Sequence, residues 1–98
     1  MPQDRKRSKL EIIRDILEAT RLKGPRAKPT HVLYKANLSY QLLNQYMADL
    51  KEKDLITEEQ LDETKRAYSL TEKGYKYLHD YQVVSGLIDS YGLDDDED

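Results

Sequence analysis

The stretch that decides the fold is residues 29–50, PTHVLYKANLSYQLLNQYMADL. Pro29 suits the first turn of a short helix, where its missing N–H costs nothing. The apolar face of this helix consists of Val32, Leu33 and Ala36. Ser39 is a favoured N-cap for a longer helix over residues 39–53, whose apolar face consists of Leu43, Tyr46, Met47 and Leu50. Two helices joined by about three residues are typical of a helix-turn-helix.

The remaining surface of the longer helix is polar or small, and consists of Tyr40, Gln41, Asn44, Gln45 and Ala48. Asn and Gln amides both donate and accept hydrogen bonds, and they pair with adenine in the DNA major groove. We therefore predict base contacts from Gln41, Asn44 and Gln45. Free N–H groups at a helix start favour phosphate, so Ser39 and Tyr40 are predicted to contact the DNA backbone. The other predicted contacts with the DNA backbone lie on or next to the shorter helix, and are Lys28, Thr30 and Lys35. The alternative is an exposed helix that carries polar side chains without binding DNA.

A first helix precedes this segment. It begins at the capping box Ser8-Lys9-Leu10-Glu11 and ends before Lys23-Gly24-Pro25. Its predicted apolar face consists of Leu10, Ile13, Ile16 and Leu17. Residues 1–7 lack an apolar anchor and are predicted to be a disordered basic arm. The cations expected to contact phosphate here are Arg5, Lys6, Arg7 and Lys9.

A β-hairpin is predicted after the longer helix. Asp54 ends that helix, because Asp tolerates the left-handed conformation. Residues 55–58 and 67–70 are predicted strands, joined by a loop over 59–66. Three helices followed by a hairpin make a winged helix-turn-helix over residues 8–70, a mostly α fold with one β-hairpin.

The hairpin, or wing, carries charges of both signs. Lys65 and Arg66 are expected to make modest DNA contacts, whereas the acids Glu58, Glu59, Asp62 and Glu63 would repel phosphate. These acids lack the spacing of a calcium-binding loop. The wing therefore leaves a second function open, a winged helix that binds other proteins and not DNA.

The last helix is predicted over residues 71–91, with Thr71 as its N-cap. A seam at spacings of 4, 3, 4 and 3 consists of Tyr77, Tyr81, Val84, Ile88 and Tyr91. That spacing is typical of a coiled coil, so we predict a homodimer. Tyr75 and Leu78 point away from the seam and are expected to pack on the domain. The alternative is that the seam is itself an amphipathic face that covers its own domain. Residues 92–98 are predicted to be a disordered acidic tail.

Composition narrows the kinds of binding site and function that this chain can have. A chain of 98 residues holds one domain, and without cysteine it has neither a disulfide nor a thiolate metal site. His31 and His79 lie far apart and are expected on the surface. No set of residues suited to catalysis, or to binding a cofactor or a small-molecule substrate, is recognisable. No stretch is long and apolar enough for a membrane span. We therefore expect a cytoplasmic, nucleoid-associated protein that is not an enzyme.

Charge is distributed unevenly along the chain. Residues 1–53 carry twelve Lys or Arg against six acids, and residues 54–98 carry four against thirteen. Five of those acids are the closing run at 94–98, without which the net charge of −3 becomes +2. The overall acidity is therefore poor evidence against a nucleic-acid partner.

Three segments resemble one family, the small archaeal winged-helix DNA-binding proteins. The segments are SKLEIIRDILEA at 8–19, YKANLSY at 34–40 and LTEKG at 70–74. The resemblance implies DNA binding in chromatin or transcription regulation, no cofactor, and a dimer formed through an antiparallel C-terminal coiled coil. The sequence departs from that family at Asp54, where glycine is usual, in its acidic hairpin loop, and in its short last helix.

Overall fold

A computed structural model describes residues 6–93 of the chain. Arg5 of the predicted arm and residues 94–98 of the predicted tail lie outside the described residues. The elements, in chain order, are α1 (Lys9–Lys23), α2 (Pro29–Ala36), α3 (Tyr40–Glu52), β1 (Ile56–Gln60), β2 (Arg66–Leu70) and α4 (Glu72–Ser90). The predicted class, mostly α with a β-hairpin, is confirmed. Within residues 6–93, no helix combines the length and apolarity needed to cross a bilayer.

The predicted helix starts are confirmed by their caps. Ser8 Oγ accepts from the Glu11 N–H at 3.1 Å, and Glu11 Oε1 accepts from the Ser8 N–H at 2.8 Å, which completes the capping box. Ser39 Oγ accepts from the Leu42 N–H at 3.1 Å. Thr71 Oγ1 accepts from the Gly74 N–H at 3.0 Å. Each cap satisfies a backbone donor that lacks a partner within its own helix.

The turn between α2 and α3 depends on Asn37. Asn37 has φ 57° and ψ 58°, a left-handed conformation that Asn adopts more readily than most residues. The Leu38 N–H then donates to the Leu33 carbonyl at 2.9 Å, which satisfies an acceptor at the end of α2. Asp54 takes the same conformation after α3, with φ 64°, as predicted.

The core lies where the apolar faces of α1, α2 and α3 meet the hairpin. Its buried members are Ile13, Ile16, Leu17, Ala19, Ala27, Val32, Ala36, Leu43, Met47, Leu50, Leu55, Ile56 and Tyr68. The prediction for Leu10 was wrong, because its side chain is 58% exposed. The first turn of α1 lies beside α4, where the Tyr77 hydroxyl donates to the Leu10 carbonyl at 3.1 Å.

The hairpin is longer and its loop shorter than predicted. The strands pair antiparallel from Ile56 opposite Leu70 to Gln60 opposite Arg66, so the loop is 61–65 and not 59–66. Asp62 Oδ1 closes this loop by accepting from the N–H groups of Thr64 and Lys65, at 2.9 and 2.8 Å. This side-chain turn lets the strand pairing extend to Gln60 and Arg66.

A short β-bridge, not predicted from the sequence, joins the loop after α1 to the wing. Ala27 and Tyr68 exchange two backbone hydrogen bonds, each 2.8 Å long. Ala27 is fully buried and belongs to the core. The bridge therefore holds β2 against the helical part of the domain.

Helix α4 packs on the domain through Gly74, Tyr77 and Leu78. Gly74 lies so close to the strand side of the domain that a Cβ on it would stand 2.3 Å from the Leu55 carbonyl oxygen. The prediction that Tyr75 packs on the domain was wrong. Its side chain is 53% exposed, because it lies about 100° around the helix from its buried neighbour.

Candidate nucleic-acid interface

The polar face predicted for α3 is exposed. Its members Tyr40, Gln41, Asn44, Gln45 and Ala48 all lie on the surface. On the opposite face, Leu43 and Leu50 are fully buried and Met47 is 2% exposed. The helix is thus anchored by one side and presents three carboxamide side chains, Gln41, Asn44 and Gln45, on the other.

The cations predicted near phosphate divide into two groups. Lys28, at the N-cap of α2, and Lys35, in its last turn, are exposed on the helix that precedes the turn, as is Thr30. Lys6 and Lys9 lie elsewhere. Lys6 lines a groove between α1 and α4 with Tyr81 and Val84. The structure therefore brings Lys28, Thr30 and Lys35, but not Lys6, to the helix-turn-helix.

Lys9 is exposed at the start of α1, and its charge acts on Asp49 of α3. The pKa of the Asp49 carboxyl is lowered chiefly by a hydrogen bond from Lys53, with a smaller contribution from the charge of Lys9. Asp49 is half-buried, five residues along the helix from Asn44, and so lies about 140° around the helix axis from it. Asp49 also lies one turn after Gln45, about 40° around the helix axis, so Lys9 is not placed away from all of the outward amides.

Arg7 is ordered, contrary to the predicted disordered arm. Its guanidinium donates to the carbonyl oxygens of Ala36 and Asn37 at 2.7 and 3.0 Å, and pairs with Asp15 at 2.8 Å. These contacts tie the end of α2 to α1. A cation suits a helix C-terminus, where carbonyl oxygens lack helical partners. Arg7 is therefore placed to stabilise the turn, where the sequence predicted a phosphate contact.

Three of the four wing acids form ion pairs or hydrogen bonds within the domain. Glu58 pairs with Lys51 of α3 at 2.7 Å, and Glu59 pairs with Arg26 at 3.0 Å. Asp62 closes the hairpin turn, and the backbone N–H groups of Thr64 and Lys65 lower the pKa of its carboxyl. Among residues 6–93, Glu63 is the wing acid with no hydrogen bond or ion pair. Within residues 6–93, two of the four acids expected to repel phosphate therefore have cationic partners, and Asp62 and Glu63 do not.

Arg66 links the wing to the outward face of α3. Its Nη2 donates to Asn44 Oδ1 at 3.1 Å. Arg66 is half-buried beside the buried Tyr68. Burial raises the pKa of the Tyr68 phenol, and the charge of Arg66 opposes that shift. Two residues predicted separately, one for base contact and one for phosphate contact, are therefore partners in the free protein.

One family accounts for this combination of elements. The winged helix-turn-helix family model matches residues 6–88, which is most of the chain and includes every described element almost to the end of α4. The chain belongs to the winged helix-turn-helix family. No curated protein matches the chain at a significant level.

Several solved structures share this winged helix-turn-helix fold. Sso10a-2, a DNA-binding protein from Sulfolobus solfataricus, is 24% identical over 88% of this chain and 87% of its own, with a TM-score of 0.73. AF1382 from Archaeoglobus fulgidus is 20% identical over 81% and 85%, with a TM-score of 0.64. MepR of S. aureus, in complex with DNA, is 12% identical over 87% and 69%, with a TM-score of 0.64.

Three exposed residues of this winged helix-turn-helix escaped the sequence analysis. Arg26 and Lys51 pair with the wing acids Glu59 and Glu58, across 33 and 7 residues of sequence. Tyr34 on α2 is 79% exposed. The signal for Tyr34 was available, because it lies outside the apolar face formed by Val32, Leu33 and Ala36.

The first half of the α4 seam packs on the domain, and the second half is exposed. Tyr77 and Tyr81 stack at 6.2 Å, and the Arg14 guanidinium of α1 lies 5.2 Å from the Tyr81 ring centroid. This half covers its own domain, as the alternative interpretation expected. From Gln82 to Leu93 every residue is exposed. The exposed large apolar side chains there are Val83, Val84, Leu87, Ile88, Tyr91 and Leu93.

His31 and His79 are both exposed, as expected. Among residues 6–93, no group of three or more His, Cys, Asp or Glu side chains is arranged to hold a metal ion. The chemistry that remains on the exposed face of α3 is hydrogen bonding by amides and hydroxyls.

Proposed function

We propose that this protein binds double-stranded DNA with the outward face of α3 in the major groove, as a transcription regulator or nucleoid-associated protein of the cytoplasm. The observation that carries the proposal is the exposed set of Gln41, Asn44 and Gln45 on a helix anchored by its opposite face. An α-helix fits the major groove, and Asn and Gln are suited to adenine there. The DNA-binding protein Sso10a-2 and the DNA-bound MepR, which share the fold, support it.

The backbone contacts in this proposal come from exposed cations on both sides of α3. Lys28, Thr30 and Lys35 lie on or next to α2, and Lys65 lies in the wing loop. Ser39 and Tyr40 lie at the start of α3, where N–H groups point outward and favour phosphate. Phosphate contacts position the protein, and the amides supply the base contacts.

The rival function, a winged helix that binds only proteins, depended on acids that repel phosphate. The pairs Glu58 with Lys51 and Glu59 with Arg26 reduce that repulsion. DNA binding therefore has the stronger support.

The test is a titration of the full chain with duplex DNA at several salt concentrations. Affinity should fall by about 0.9 log unit per log unit of salt for each phosphate contact. Lys35→Ala should weaken all sequences alike, whereas Gln41→Ala or Asn44→Ala should change the preference between sequences. Gln82→Ala, on the exposed part of α4, is the matched amide control and should change neither. Salt-insensitive binding, or equal losses from all three variants, would contradict the proposal.

The same proposal includes a homodimer formed through α4. The exposed apolar side chains after Gln82 leave a helix that is marginal on its own in water. Antiparallel pairing of two such helices would bury them and place two copies of α3 about a two-fold axis. Each dimer would then contact two half-sites or two DNA segments.

A further inference from the structure

The hydrogen bond from Arg66 fixes which way the Asn44 side chain faces. A guanidinium group has donors and no acceptor, so the Asn44 atom 3.1 Å from Nη2 is the carbonyl oxygen Oδ1. The amino group Nδ2 therefore occupies the other branch of the carboxamide. No residue in the 6–93 segment accepts a hydrogen bond from it. In the free protein, Asn44 thus presents a free donor, while Oδ1 is turned toward Arg66 and already accepts one of its two possible hydrogen bonds.

Arg66 is itself held in place. It is the first residue of β2 and pairs with Gln60 across the hairpin. Its Nε is buried and has no hydrogen-bond partner within the described segment. A half-buried side chain on a paired strand has few alternative positions. The guanidinium group is therefore restricted to a small range of positions beside Asn44.

We propose that Arg66 is a positioning residue that makes Asn44 a donor to the DNA base, so that the base opposite Asn44 is guanine in preference to adenine. A bidentate contact with adenine needs Oδ1 to accept from N6 while Nδ2 donates to N7. With Oδ1 held by Arg66, that arrangement is disfavoured. Guanine presents two acceptors, N7 and O6, in the same groove, which suits the free Nδ2. This inference rests on the proposed DNA binding by α3.

The experiment is a selection of bound duplexes from a randomised DNA library, using the full chain and sequencing of the bound fraction. The variants are Asn44→Ala, Arg66→Met and the double variant, each checked for folding by thermal unfolding. Methionine keeps much of the aliphatic packing of Arg66 and removes its donors and charge. Lys65→Met is the matched control, since it removes a neighbouring wing cation that has no contact with Asn44.

We expect Arg66→Met to shift the preference at one position from guanine toward adenine by about threefold to tenfold, the range for one hydrogen bond. Lys65→Met should weaken every sequence alike. In the Asn44→Ala background, Arg66→Met should no longer change base preference, because Arg66 acts through Asn44.

Two results would overturn the inference while DNA binding by α3 stands. One is an unchanged preference in Arg66→Met at a position that Asn44→Ala does alter. The other is a wild-type preference for adenine at that position. If neither Asn44→Ala nor Gln41→Ala changes any preference, the proposed function itself fails, and the inference fails with it.

Discussion

Arg7 donates a 2.7 Å hydrogen bond to the backbone carbonyl oxygen of Ala36, across 29 residues of sequence. The same guanidinium group pairs with Asp15 of α1. Because Ala36 is the last residue of α2, this contact fixes the end of α2 beside α1. The orientation of α3, which begins after three intervening residues, therefore depends in part on a residue before the first helix.

Arg7→Met should lower the free energy of unfolding by about 1–3 kcal/mol, because two carbonyl oxygens and Asp15 lose a charged donor. Lys6→Met is the control: Lys6 is exposed, and its change should stay within about 0.5 kcal/mol. Chemical denaturation measures both. The salt dependence of DNA binding tests the original phosphate prediction. If the slope of log affinity against log salt concentration is smaller by about 0.9 in Arg7→Met than in the wild type, Arg7 contacts a phosphate as the sequence predicted.

Gly74→Ala should destabilise the domain by about 1–3 kcal/mol, as overpacking does. The added Cβ would meet the Leu55 carbonyl oxygen at 2.3 Å, and backbone gives way less easily than a side chain. Gly86→Ala is the matched control on the same helix. Its Cβ would meet nothing within 4 Å, so helix propensity should stabilise α4 by up to about 1 kcal/mol. Thermal unfolding that shows equal shifts for the two variants would contradict this account.

The sequence predicted the parts of the fold that local chemistry decides. Ser8, Ser39 and Thr71 satisfy backbone donors three residues away, so their caps were visible in short stretches. The exposed face of α3 followed from its periodicity in the same way. The errors share a different cause. Arg7 donates to the Ala36 carbonyl oxygen across 29 residues, and Ala27 and Arg66 pair with residues at least 22 positions away. No local pattern indicates such pairs.

Glu63→Gln should tighten non-specific DNA binding by about twofold at low salt, since it removes an unscreened negative charge near phosphate. Glu63 is the acid of the wing with no partner within the described residues. Asp89→Asn, on the exposed part of α4 after Gln82, removes the same charge and is the control. The affinity of the wild type and both variants for non-specific DNA, measured at low and moderate salt, tests this prediction. Equal effects of the two variants would mean that only net charge matters.

The stability contributed by Asp62 should be lost in acid. Backbone hydrogen bonds from Thr64 and Lys65 lower the pKa of its carboxyl in the folded state. A lowered folded pKa stabilises the protein above the unfolded value of about 3.9, and this contribution disappears as the pH falls through the folded pKa. Asp62→Asn keeps an oxygen acceptor without titrating. Its melting temperature should therefore depend less on pH below about 4 than that of the wild type, whereas Glu63→Gln should follow the wild type.

Val84→Asp with Ile88→Asp should convert the proposed homodimer to a folded monomer. Both side chains are exposed, at 54% and 38%, and neither belongs to the core, so two carboxylates there should block helix pairing without unfolding the domain. Gln82→Asp with Ser90→Asp adds the same charge to exposed positions of α4 off the seam, and is the control. Sedimentation measures the mass of each.

DNA affinity distinguishes this dimer from a helix that is merely exposed. A dimer engages two half-sites, so the monomeric variant should bind a duplex carrying both about 100-fold more weakly, while binding to a single half-site changes little. The first half of the seam already packs on α1 through Tyr77 and Tyr81. Pairing therefore has only the segment after Gln82 to bury, and its strength should be modest. A wild-type chain that sediments as a monomer at tens of micromolar would refute the dimer and leave DNA binding by α3 intact.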